Sequence, residues 1–310
     1  MTLPTDPAVF APTIPTFSGA PNTALPTPPE SAQLARRRLI NYDSYSYEPS
    51  SRWVRAVRGA TAVVDSRFQL LVWERGVRGE LKTGKLPSYA FPSAHVRTDL
   101  LRPSSDEAAA KAAVNYYSRP SRHAAVAWFD LTLPDGQVLP NAAWKYTAVP
   151  GLEDYFLFRW TSGLFDWYEE SERVHTHPRD SQVRTEVIPS TRSVQVYTKD
   201  SERRLLADST ATRILFERGI PARFYFPPAD VKFDELVAVP GLVTSCPYKG
   251  YADKYWHIKG DTTEEKLAWA YSNPLHQVEW IKDYVGFLNE SVELVVDGGP
   301  FTEGEPGWIE

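Results

Sequence analysis

The segment "SVQVYT" (193–198) alternates apolar and polar side chains, the two-residue period of a half-buried strand. A polar turn at Lys199-Asp200-Ser201 precedes "RRLLADS" (203–209), and "TRILFERG" (212–219) and "ARFYFP" (222–227) flank a second turn at Gly219-Ile220-Pro221. Such short runs between turns predict a meander of antiparallel strands, and "VELVV" (292–296) predicts a closing strand. Two stretches break the period. "HQVEWIKDYVGFL" (276–288) places apolar residues at 278, 281, 285 and 288, the spacing of a short amphipathic helix. "SSDEAAAKAAVNYY" (104–117) opens on a Ser104/Glu107 capping box and stops at Arg119-Pro120, which predicts another helix. The pattern as a whole predicts a mainly β protein with short helices.

The pattern also repeats. "VVDSRFQLLVWERG" (63–76) matches "LADSTATRILFERG" (206–219), aligning Asp65 with Asp208, Ser66 with Ser209 and Glu74 with Glu217. "SYAFPSAHVRTDLL" (88–101) matches "RFYFPPADVKFDEL" (223–236), with His95 against Asp230. "AAWKYTAVP" (142–150) matches "LAWAYSNP" (267–274), pairing Trp144 with Trp269 and Tyr146 with Tyr271. A fourth block is the "ES" that follows an expected aromatic helix late in each half. Four blocks in one order predict two homologous domains, 50–180 and 192–300. A proline-rich arm (1–49), a polar link (181–191) and a tail (301–310) complete the division. The arm carries eight prolines in its first 30 residues, so it is expected to be extended, with Val9, Phe10, Ile14 and Phe17 as anchors.

Composition narrows the function. The net charge of −5 argues against a general nucleic-acid binder, which needs a basic surface. A single cysteine allows neither an internal disulfide nor a four-cysteine zinc site and fits a reducing compartment. No apolar run approaches the roughly 20 residues of a membrane helix. The first residues lack the basic start and apolar core of a signal peptide, so the cytoplasm is the expected compartment. Aromatic residues are numerous (10 Trp, 16 Tyr, 14 Phe) and either fill two small cores or line a pocket.

The second half holds a segment without counterpart in the first, "TSCPYKGYADKYW" (244–256), around the lone Cys246. With "ADS", "FERG", "YFPPADV" and "AWAY", it resembles the DUF427 family, also catalogued as a nucleotidyltransferase-type domain (NTP_transf_9). The likeness covers about 192–298 well and about 52–178 more loosely. The resemblance implies a compact antiparallel β domain of the β-tent type. Nucleotidyl transfer requires a Gly-Ser or Gly-Gly turn followed by paired carboxylates for Mg²⁺, and the chain has no such arrangement, no P-loop and no GxGxxG.

The candidate site is accordingly expected in the second domain, as the pocket of a small polar or anionic ligand, without a cofactor. Cys246 is either a nucleophile, with Glu217, Asp230 or His257 moving protons, or an inert packed thiol. Lys249 with Gly250 is either an anion site or a solvated turn. Thr244 offers a hydroxyl, and Tyr225, Tyr255, Trp256, Trp269 and Tyr271 are candidate aromatic walls. Adjacent strand residues face opposite sides, so only one of Tyr255 and Trp256 reaches the pocket while the other fills the core. Glu217 and Asp208 recur in the first copy, which favours turn or buried-acceptor roles for both, with Asp208-Ser209 capping a turn. His175 and His177 would share one strand face, with Glu172 beside them, but a polar strand end explains them without a metal.

Overall fold

A computed structural model describes residues 45–74, 87–104, 125–160, 163–180, 183–217, 220–260 and 268–301. The anchors expected in the arm, the body of the helix expected at 104–117 and most of the tail lie outside these residues. The chain divides into two units, residues 1–180 and 181–310.

The first unit contains β1 (Tyr45–Pro49), β2 (Val54–Arg58), β3 (Thr61–Ser66), β4 (Leu70–Glu74), β5 (Ser88–Pro92), β6 (Leu101–Pro103), β7 (Val126–Thr132), β8 (Val138–Tyr146), β9 (Tyr155–Phe158), β10 (Asp166–Glu169) and β11 (Glu172–Val174). The second contains β12 (Thr185–Pro189), β13 (Val194–Tyr197), β14 (Leu205–Ser209), β15 (Arg213–Glu217), β16 (Ile220–Phe226), β17 (Leu236–Ala238) and β18 (Thr244–Cys246). It continues through β19 (Gly250–Ala252), β20 (Lys254–Ile258), β21 (Ala268–Ala270), β22 (Asn273–Pro274), β23 (Val285–Phe287), β24 (Glu293–Val296) and β25 (Gly299–Pro300).

The expected mainly antiparallel β fold is what the chain adopts. The large sheet of the first unit has the order β1-β4-β5-β9-β8-β7-β6, and its small sheet β3-β2-β10-β11. The second unit repeats both orders as β12-β15-β16-β23-β21-β20-β17 and β14-β13-β24-β25. It adds a three-stranded sheet, β18-β19-β22. Three of the sequence blocks fall on equivalent elements. The fourth does not: Glu170-Ser171 forms the turn between β10 and β11, whereas Glu290-Ser291 lies between β23 and β24. The link expected at 181–191 contains β12, which closes one edge of the second unit's large sheet against β15.

Each large sheet has two covered faces. In the second unit the inner face packs Ile214, Phe224, Phe226, Val285 and Phe287 against Val194, Val196, Leu294 and Val296 of the small sheet. Each large side chain removed from water there contributes about 1.5–3 kcal/mol. The alternate residues Leu215, Tyr225 and Tyr255 point to the outer face, where Tyr271, Val278 and Ile281 cover them. The asparagine-free turn before β14 closes as predicted, with the Asp200 carboxylate accepting from the backbone amides of Glu202 and Arg203.

The amphipathic helix expected at 276–288 does not form. Two 3-10 turns span His276–Ile281 with a break at Val278, and Val285–Phe287 is a strand at the centre of the large sheet. Gly286 disfavours helix. Burial of β23 on both faces leaves no alternation to distinguish strand from helix.

Candidate functional site

The segment around Cys246 is a hairpin laid on the outer face of the second unit. Cys246 pairs with Gly250 across β18 and β19, and Pro247-Tyr248-Lys249 makes the turn. Proline presets the backbone on entry, and Gly250 leaves the turn at φ +90°, a conformation that strains any L side chain. The Lys249 carbonyl accepts from the Leu275 amide at 3.1 Å, and the Tyr248 carbonyl accepts from the Gln277 side chain at 3.1 Å. These bonds hold the turn so that the Lys249 ammonium donates to the Glu217 carboxylate at the end of β15. Both side chains are withdrawn from water, 12% and 10% exposed.

Burial by itself would lower the Lys249 pKa. The charges of Cys246 and Glu217 and the Glu217 hydrogen bond outweigh it and hold the ammonium up at about 12. Burial also raises the Tyr225 phenol to about 12 against the opposing Lys249 charge, and pushes Tyr271 well above its ordinary value. Near neutrality both phenols are therefore protonated. The Trp269 indole donates to the Tyr225 hydroxyl at 3.1 Å, with the rings edge to face. Gly286 makes that contact possible: a Cβ there would lie 3.1 Å from Tyr225 and 3.2 Å from Trp269.

The first unit handles the same positions differently. Tyr225, Gly286 and Trp269 lie in register across three strands, where the first unit has Ala90, Leu157 and Trp144. The large and small residues have exchanged places. Trp144, Leu157 and Ala90 are fully buried in an apolar cluster, and Glu74, in the position of Glu217, accepts from the buried Tyr146 hydroxyl. Trp269 by contrast remains partly exposed.

The residues that distinguish the second unit, Tyr225, the Cys246-Lys249 turn and Gly286, all lie in one stretch of chain. Residues 186–298 are similar to NTP_transf_9, a domain of unknown function (DUF427). The match runs from β12 through β24, and so includes strands of all three sheets of the unit. No curated protein matches the chain.

Within residues 186–298, Cys246, Lys249, Glu217, Tyr225, Trp269, Tyr271 and Gly250 come together. Tyr255 joins them on the outer face and shares a hydrogen bond with the Thr244 hydroxyl. Trp256 turns the other way, onto the inner core and Phe233. Asp230 ends the 3-10 turn Pro228–Asp230, whose next residue, Val231, packs in the inner core and bridges to Ala207 of β14. It therefore stands on the small-sheet side, apart from Lys249. His257 lies opposite Val237 in the edge strand. Ser209 caps its turn by accepting from the Ala211 amide, while Asp208 accepts from Gln195 across the strands. Gly286 is the site residue the motif reading missed; a glycine inside the apolar run "YVGFL" was its only mark.

His175 and His177 do not share a strand face. The chain leaves β11 after Val174, turns through Thr176 at φ +72°, and bonds the His177 amide to the His175 carbonyl. Among the described residues no group of three or more His, Cys, Asp or Glu side chains is placed to hold a metal ion.

Proposed function

We propose that the second unit binds a small polar molecule on the outer face of its large sheet. Lys249, Glu217 and the Tyr225 hydroxyl provide the polar contacts, and Trp269 and Tyr255 provide the aromatic wall. The first unit, in this reading, is a duplicated copy whose equivalent face is packed shut. The supporting observation is a contrast at matched positions: Ala90, Leu157 and Trp144 are fully buried in the first unit, whereas in the second Tyr225, Gly286 and a partly exposed Trp269 stand beside the Lys249–Glu217 ion pair. Folding does not require a buried ion pair, whose desolvation offsets much of its attraction. Retaining one on this face supports a role in recognition. The negative net charge and the lone cysteine support a small molecule over nucleic acid and a reducing compartment, and we assign the protein to the cytoplasm. Among the described residues no helix is long and apolar enough to cross a membrane.

The test is a thermal-shift screen of the full chain against small amides, carboxylates and phosphates, repeated on Lys249→Met and Trp269→Phe. Compounds that stabilise the wild type and lose their effect in both variants are the expected result. Stabilisation that survives both substitutions would remove the site from the outer face. Native-state alkylation of Cys246 between about pH 5 and 9 adds an independent check, because the face must admit a small reagent.

A further inference from the structure

A thiol, an ammonium group and a carboxylate meet on the outer face of the second unit. Cys246 enters a three-residue turn whose last member is Lys249, close enough for the two groups to interact electrostatically, and Lys249 is ion-paired with Glu217, 32 residues away. Lys249 and Glu217 together carry no net charge. A ligand that arrives as an anion gains little from Lys249 and is opposed by Glu217. A neutral carbonyl is a better match. Its oxygen becomes negative only as a nucleophile attacks, and a preformed ammonium then meets the charge at the moment it develops.

We propose that this site, if it binds ligand as argued above, hydrolyses small neutral carboxylic amides or esters through a thioester on Cys246, with Lys249 stabilising the oxyanion and Glu217 moving protons. The Cys246 proton passes to Glu217 by way of Lys249, which gives Glu217 one of its own protons and takes up the one from Sγ. Sγ attacks the carbonyl carbon, and the oxygen takes the electron pair of the C=O bond beside Lys249. As the carbonyl reforms, the bond to the amine or alcohol breaks, and Glu217 supplies the proton that lets it leave. Water then adds to the thioester carbonyl, giving a proton to Glu217. The C–S bond breaks, the proton returns to sulfur, and a carboxylic acid departs. The net reaction consumes one water and needs no oxidant or cofactor.

Three features fit these roles. Cys246 is partly exposed, so an acyl group can reach it. Lys249 stays cationic over the working range, because the surrounding charges hold its pKa at about 12. Trp269, held against Tyr225 by the gap at Gly286, offers a partly exposed ring on which the acyl or amine portion can rest. The first unit has the carboxylate, Glu74, but engages it with Tyr146.

The probe is p-nitrophenyl acetate with the full chain, followed by p-nitrophenol release and by peptide mapping of the acetyl group. The expected result is a burst of one acetyl per chain on Cys246, then slower hydrolysis that regenerates the thiol. Acetylation should exceed that of N-acetylcysteine at the same pH by about 100-fold or more. Glu217→Gln should slow it by about 100-fold, the usual loss of a proton-transfer group, and Lys249→Met by a similar factor. An acetyl group elsewhere, a thioester that persists, or native Cys246 reacting no faster than N-acetylcysteine would each overturn the proposal. The last comparison needs no variant, so misfolding of Glu217→Gln leaves it intact. Cys246→Ala separates the two readings. If it still gains stability from the amides of the screen while the wild type fails to acylate, binding stands and hydrolysis falls. If the amides stabilise neither protein, both fall.

Discussion

Tyr225 and Gly286 occupy facing positions whose combined volume the first unit divides the other way, between Ala90 and Leu157. That exchange makes a measurable prediction. Tyr225→Ala alone removes a fully buried ring and the acceptor of the Trp269 indole. The ring is worth about 3–5 kcal/mol and the hydrogen bond about 1 kcal/mol. Gly286→Leu alone drives a branched side chain toward atoms that would already lie 3.1 and 3.2 Å from a Cβ. Overpacking of this kind costs about 1–3 kcal/mol or more. The double variant recreates the arrangement of the first unit, in which leucine fills the space left by the missing ring. Its loss should fall short of the sum of the single losses by about 2 kcal/mol, within the range of coupling between residues in contact. Urea denaturation of the four proteins, followed by circular dichroism, completes the cycle, with the transition of the second unit fitted separately. Losses that add within about 0.5 kcal/mol would show that the two positions do not share one volume. The register equivalence of the two faces would then carry no physical weight.

Lys249→Met leaves the Glu217 carboxylate buried without its cation and should cost about 3 kcal/mol or more in urea titrations at neutral pH. Because the folded-state pKa of Lys249 is raised from 10.5 to about 12, its contribution is complete below about pH 10.5 and is lost as pH rises toward 12. It amounts to about 2 kcal/mol, and a wild type whose stability stays flat across that window would contradict the assignment. His175 is the opposite case: burial, assisted by Arg173, lowers its pKa to about 4. Below about pH 6.5 the unfolded chain takes up the proton first, so stability should decline between pH 6.5 and 4 and then level off. His175→Gln should flatten that slope, and an NMR titration of the ring with a midpoint near 6.5 would refute the burial argument. Gly250→Ala should lower stability by about 1–2 kcal/mol through backbone strain, since its Cβ would meet Leu275 only at an ordinary 3.5 Å; a neutral effect in the same denaturation assay would contradict the positive φ.

Much of the sheet is written in local sequence. Val194 and Val196 alternate with polar neighbours because β13 has one face on the core, and Tyr255 and Trp256 separate to opposite faces as strand geometry requires. The three long repeat blocks found the equivalent strands because each joins strand residues to the turn beside them. The two-residue "ES" block failed because so short a match carries no register. Two other features were hidden. β23 is buried on both faces, and its apolar spacing imitates a helix turn. Asp230 differs from His95, which marks it in the sequence as a site candidate, yet both end equivalent 3-10 turns on the small-sheet side, where the difference concerns local packing rather than the outer face. The Lys249–Glu217 contact was not legible either. It joins residues 32 positions apart, and only the pairing of the hairpin with β22 directs the lysine toward β15.

The large sheet of the second unit assigns its two faces to different tasks. Most of the apolar core of this unit lies between the sheets, while the hairpin bearing Cys246 and Lys249 rests on the other side, joined through its pairing with β22 and the Lys249–Glu217 ion pair. Lys249 and Gly250 are the two points at which the hairpin and the sandwich share their stability, through a buried ion pair and a left-handed turn. Elsewhere in 244–252 the chain can vary with little effect on the packing between the sheets. Under the binding role proposed for the outer face, that freedom would let the hairpin change its ligand while the strands stay fixed.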